Sequence, residues 1–126
     1  MKVYQTKVSP LPGSEYREVH SKALAIYRQI KKKTKRRPYV RSAYFRKDKI
    51  FLDYFWQHIW QKNWRDRVRR LKYYPCALDL LKNSRMEPIS KQNPNKSGEI
   101  LHRFAGVTRN KELFFIQVKE DKKRVR

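Results

Sequence analysis

At Gly98 the hydrophobic period of this chain changes from helical to two, and that change constrains the fold more than any other feature. Before it, apolar residues recur three and four apart; after it they alternate with polar ones. Helices first and strands last make an α+β domain, with N-terminal helices packed on one face of a small antiparallel β-meander.

Residues 1–13 read as an extended lead-in punctuated by Pro10, Pro12 and Gly13. Ser14 suits a helix N-cap, with Glu15 and Glu18 where the first turn favours acids. Tyr16, Val19, Ala23, Ile26, Tyr27 and Ile30 then form one buried stripe. KKKTKRR (31–37) carries six basic residues in seven, more than a helix C-terminus needs, and Pro38 takes the chain out of helix. Residues 1–38 thus form a lead-in and helix with a basic run, and 39–126 form the body of the domain. In that body Tyr39–Phe45 reads as a short strand. Asp48 reads as the N-cap of a helix over about 48–62, its pattern running on towards 72. Leu52, Phe55, Trp56, Ile59, Trp60 and Trp64 make its broad apolar face. Pro75 fits the first turn of a further helix that buries Ala77, Leu78, Leu80 and Leu81 and ends near Asn83. Residues 84–98 read as loop. Strands follow over Glu99–Val107 and Glu112–Glu120, joined by a turn at 108–111, with a third strand, KRVR, at the end.

Composition decides the partner. Of 126 residues, 33 are Lys or Arg and 11 are Asp or Glu, a net charge of +22. Such a body draws in phosphate chains through counterion release, so nucleic acid is the expected partner ahead of acidic protein or anionic membrane. Hydrophobic residues make up 39% of the chain, enough for a modest single core. No run approaches 18 apolar residues, and the N-terminus has no apolar stretch, so neither a membrane partner nor a secretory signal is expected and the chain is placed in the cytoplasm. Cys76 stands alone, which rules out an internal disulfide and a thiolate zinc site.

Absent chemistry narrows the activity. The three glycines are isolated, the acids are scattered, and His20, His58 and His102 lack metal-ligand spacing. No cofactor and no metal is expected. RNA, however, carries its own nucleophile. Cleavage through the 2′-hydroxyl needs a base, an acid and cations on the phosphorus oxygens, roles that His, Lys and Arg can fill. His58 and Lys62, at i and i+4 of the expected helix, would present a proton-transfer group and a phosphate clamp; the plainer alternative has His58 capping the core and Lys62 snorkelling beside it. With a tight turn at 108–111, Arg103 would lie beside Ile116 or Val118, facing a groove or paired with Asp53, Asp66 or Asp79. His102 would share a face with Phe115, Gln117 and Lys119, a reasonable RNA platform, and is a candidate catalytic residue there against a plain exposed edge position. Arg41 is a candidate for holding a phosphate and Tyr44 for stacking on a base or donating a proton, against ordinary surface and core roles. Lys31, Lys32, Lys33, Lys35, Arg36 and Arg37, with Arg65, Arg69 and Arg70, are candidate backbone contacts.

The stretches RSAYF (41–45), FWQHIWQK (55–62), LHRFAG (101–106) and FFIQVKE (114–120), in this order, resemble the Barnase–EndoU–colicin–RelE superfamily of metal-independent ribonucleases, in particular its small toxin-like and phage-associated members. The resemblance covers about residues 39–126 and is one of pattern. It implies a toxin-type endoribonuclease restrained by a neutralising antitoxin, which would lay an acidic segment over the basic groove; ribosome association would be compatible with it. It assigns His58 as acid or base, Arg103 as transition-state cation, and Lys62 and Arg41 as supporting cations. The family's sheet has four strands, so the resemblance also implies a further strand from more chain or from a partner. Two other readings remain: a non-catalytic RNA-binding component of a ribonucleoprotein, and a DNA-binding regulator using the arginine-rich 64–72 stretch.

Overall fold

A computed structural model describes residues 2–121. The expected α+β class holds, with the helices layered on one face of a four-stranded sheet. β5 (Glu99–Val107) is its central strand. β6 (Leu113–Asp121) pairs antiparallel along one edge of β5 for its full length. The other edge is shared end to end by β4 (Ile89–Gln92), antiparallel, and β1 (Val3–Gln5), parallel. The fourth strand therefore comes from within the chain. The N-terminal lead-in and the segment read as loop each supply a strand too short to carry a periodic signal. The expected KRVR strand lies outside the described residues.

The register corrects the expected pairing. Arg103 lies opposite Gln117, not beside Ile116 or Val118. The cause is the turn: Thr108 N–H donates to Glu112 O and Lys111 N–H to Thr108 O, with Lys111 at φ 67°. Glu112 thereby joins the turn, Val107 pairs with Leu113, and a one-residue slip sends every side chain to the other face.

α1 (Tyr16–Lys33) buries Val19 and Ala23 from the expected stripe. β2 (Tyr39–Arg41) and β3 (Lys49–Phe51) form a separate hairpin, so the first strand of the body is shorter than expected and Asp48 precedes a strand, not a helix. The single long helix is in fact three pieces: α2 (Asp53–His58), a 3-10 turn over Ile59–Gln61, and α3 (Trp64–Lys72). Asn63 makes the break, its side chain accepting the Asp66 N–H as the N-cap of α3. As a result Trp60 and Trp64 leave the apolar face and stand 58% and 55% exposed.

α4 (Tyr74–Asn83), with Pro75 in its first turn, packs against α1 and brings Leu80 up to Gly106 of β5. It contributes Tyr74, Cys76, Leu78, Leu80 and Leu81 to a core shared with Leu71, Phe104 and Phe114. Each such side chain, once buried, contributes about 1.5–3 kcal/mol. β1 is tied to this layer through Asp79, whose carboxylate accepts from Lys7 N (2.7 Å), Tyr4 Oη (3.2 Å) and Asn83 Nδ2 (2.7 Å). The inward face of the sheet carries His102, Phe104, Gly106, Phe114, Ile116 and Val118. The outward face carries Arg103, Phe115, Gln117 and Lys119.

Candidate nucleic-acid interface

Strand alternation builds the outward face from cross-strand rows. Val3, Ala105 and Phe115 form one row; Ile89, Arg103 and Gln117 the next; Lys91, Leu101 and Lys119 the third. Large apolar side chains stand in solvent here: Ile89 is 52% exposed, Leu113 48% and Phe115 44%. The Arg103 guanidinium lies over the Phe115 ring, 4.2 Å from its centroid. Lys119 is the diagonal neighbour of Arg103, at about 7–8 Å. Its Nζ donates to Tyr54 Oη at 2.6 Å and sits 4.4 Å from that ring. Tyr54 in turn stacks on His58, ring centroids 4.1 Å apart. Planar cation, aromatic, amide and ammonium therefore follow one another on the sheet face, and the Lys119 side chain leads from it to the Tyr54–His58 pair on α2. Such a surface can stack bases and hold phosphates.

Arg103 has no carboxylate partner among the described residues. The Asp53 carboxylate is held by Arg37, that of Asp66 accepts from Asn63 Nδ2 at 3.4 Å, and that of Asp79 accepts from Tyr4, Lys7 and Asn83. The structural pairing considered for Arg103 is thus absent, and its charge faces solvent.

His102 is corrected most. It lies buried on the inward face, away from Gln117 and Lys119, its ring 4.9 Å from that of Phe45. Nδ1 meets Ser90 Oγ at 2.6 Å and Nε2 meets Glu120 Oε1 at 2.8 Å, so both ring nitrogens are occupied within the fold. Neither Ser90 nor Glu120 was legible as its partner, because Ser90 sits in the β4 segment read as loop. Lys62 is also separated from its expected place. It lies in extended backbone between the 3-10 turn and α3, so it does not share a helix face with His58. Arg41 donates to Lys47 O at 3.0 Å across the hairpin turn, and Tyr44 packs edge-on against Phe45 and Phe104 in the core. Neither reaches the outward face of the sheet.

Among the basic runs, Lys31, Lys32 and Lys33 occupy the last turn of α1, with Lys35 and Arg36 exposed after it. Arg37 is structural: it grips Asp53 bidentately at 2.8 and 2.9 Å and lies 4.0 Å over the Phe51 ring. Hydrogen bonds from this guanidinium hold the Asp53 carboxyl below its usual range. Arg65, Arg69 and Arg70 are exposed on α3. Beside them runs an open cleft of about 510 Å³ between α3, the N-terminal segment and the β5–β6 turn, lined by Trp64, Arg65, Val68, Arg69 and Lys72 among others. On its far wall Glu112 accepts from the Tyr73 hydroxyl, and burial first, then this bond, pushes Tyr73 up to about 12.

Among the described residues no group of three or more His, Cys, Asp or Glu side chains is placed to hold a metal ion, and no helix is long and apolar enough to cross a membrane. Comparison with protein-family models, curated proteins and solved structures found no match to this chain.

Proposed function

We propose that this protein binds RNA across the outward face of its sheet. The observation that carries the reading is the alternation there of exposed rings and cations: Arg103, which has no carboxylate partner among the described residues, on Phe115, then Gln117, then Lys119 on Tyr54. A polyanion alone would ask only for charge; exposed rings interleaved with that charge suit a ligand with flat bases as well as phosphates. The net charge of +22 supplies the long-range attraction. A DNA-reading helix is less favoured, because α3 is nine residues long and packs against α1. The test is competition at matched salt. Labelled single-stranded RNA should be displaced by unlabelled RNA and resist equal charge concentrations of duplex DNA or polyglutamate. Displacement by polyglutamate as effective as by RNA would instead favour an acidic protein partner, such as the expected antitoxin.

One observation favours a second reading, metal-independent cleavage. His58 stands on Tyr54, whose hydroxyl accepts from Lys119, so an imidazole and an ammonium share one aromatic neighbour. In such a step His58 would take the 2′-hydroxyl proton as that oxygen bonds to phosphorus. The P–O5′ bond would break with the leaving 5′-oxygen taking a proton from solvent water, and Lys119 and Arg103 would offset charge on the phosphorus oxygens. Substoichiometric protein should then shorten RNA in the presence of chelator, and His58→Ala should abolish this while binding persists. Protection of RNA without shortening leaves the binding reading alone.

A further inference from the structure

The break at Asn63 puts Trp64 into solvent, and nothing among the described residues covers its ring. It is the first residue of α3, and more than half its surface is in water. Trp56 packs against His20, Tyr27, Phe55 and Tyr74, and Trp60 against Tyr16, His20 and the Arg67 guanidinium. Trp64 alone of the three has neither an aromatic nor a cationic neighbour on its ring among the described residues, and it lines the cleft beside α3. An indole left open in a recess is the kind of apolar surface that marks a contact site. Charge narrows the occupant. Arg65, Arg69 and Lys72 lie on the same wall at i, i+4 and i+7, and no carboxylate pairs with them among the described residues. Glu112, on the opposite wall, would turn a phosphate away from its own side and towards the arginines. The volume, about 510 Å³, falls within the range of small-ligand sites.

We infer that this cleft is a second RNA contact, separate from the sheet face, which takes one unstacked base on the Trp64 indole and the adjoining phosphate on Arg65 and Arg69. The inference rests on the reading that the chain binds RNA. It adds a substrate class: a base inside a duplex is stacked on both sides and cannot reach the indole, so the cleft selects single-stranded loops and ends.

The experiment compares full-length parent, Trp64→Ala and Trp64→Phe for affinity towards a labelled single-stranded RNA, a duplex RNA of equal length and a heparin fragment, which carries charge and no bases. Trp64→Ala should weaken single-stranded RNA about 5- to 150-fold, leave heparin and duplex RNA within about twofold, and Trp64→Phe should recover most of the loss. Equal losses for RNA and heparin, or no loss for RNA, would overturn the site. If Arg103→Ala and Lys119→Ala weaken RNA while Trp64→Ala does not, the sheet-face reading stands and this cleft falls. If the parent protein fails to bind RNA, both fall together. Circular dichroism of each variant separates lost contacts from lost fold.

Discussion

Two residues adjacent in sequence have opposite fates. Arg103 stands in solvent over Phe115, while His102 is buried between Ser90 and Glu120. Strand alternation demands that they part; which one faces out is decided by a single turn residue. The tyrosines give the residue scale its own test. Burial, chiefly, pushes both Tyr73 and Tyr74 up to about 12 from an ordinary 10.0. A raised acid pKa means that the folded state resists ionisation, so the stability held by the neutral phenols is complete below pH 10 and drains as pH rises from there towards 12. Phenolate absorbance titration should show two of the eight tyrosines ionising well after the most exposed ones, with denaturant stability falling over the same span. All eight titrating together near the ordinary value in folded protein would contradict this placement.

Among the elements, those that carry their own signal were legible and those defined by their partners were not. The alternation over 99–107 marked β5 to the residue, and Pro75 with the leucines of 78–81 marked α4 through Asn83. β1 and β4, at three and four residues, exist because β5 offers them an edge, and nothing local announces that. The break between α2 and α3 was written in the Asn63–Asp66 cap, but the tryptophan spacing across it mimics one continuous stripe. For the candidate site this meant that Arg103 and Lys119 were readable as cations on strands, whereas their shared face, and the loss of His102 and Lys62 from it, depended on register and on that cap. Gly106 tests how tightly helices and sheet fit. A Cβ there would fall 2.9 Å from Leu80 Cδ1 and closer still to the Phe114 ring. Gly106→Ala should therefore destabilise by about 1–3 kcal/mol in denaturant melts, by overpacking. An unchanged midpoint would mean that α4 and the sheet lie further apart than described.

For the whole molecule, the helices take the inward face of the sheet and leave the other face to solvent, where Arg103 has no carboxylate partner among the described residues and Lys119 lies within range of the Glu99 charge. Among the described residues, lysine and arginine ion pairs occupy Lys22, Arg37 and Lys96, the last with Glu99 at the start of β5. General polycation behaviour and a located RNA site make different predictions, because the first depends only on net charge. The deciding measurement is the affinity for single-stranded RNA of Arg103→Ala/Lys119→Ala beside Arg28→Ala/Lys82→Ala, a pair of exposed cations on α1 and α4 that removes the same charge. The sheet-face pair should lose several-fold more affinity than the helix-face pair, and the slope of log affinity against log salt should flatten by about 1.4 for two lost single-strand phosphate contacts. Equal losses from the two pairs would contradict the account and leave the charge without an address.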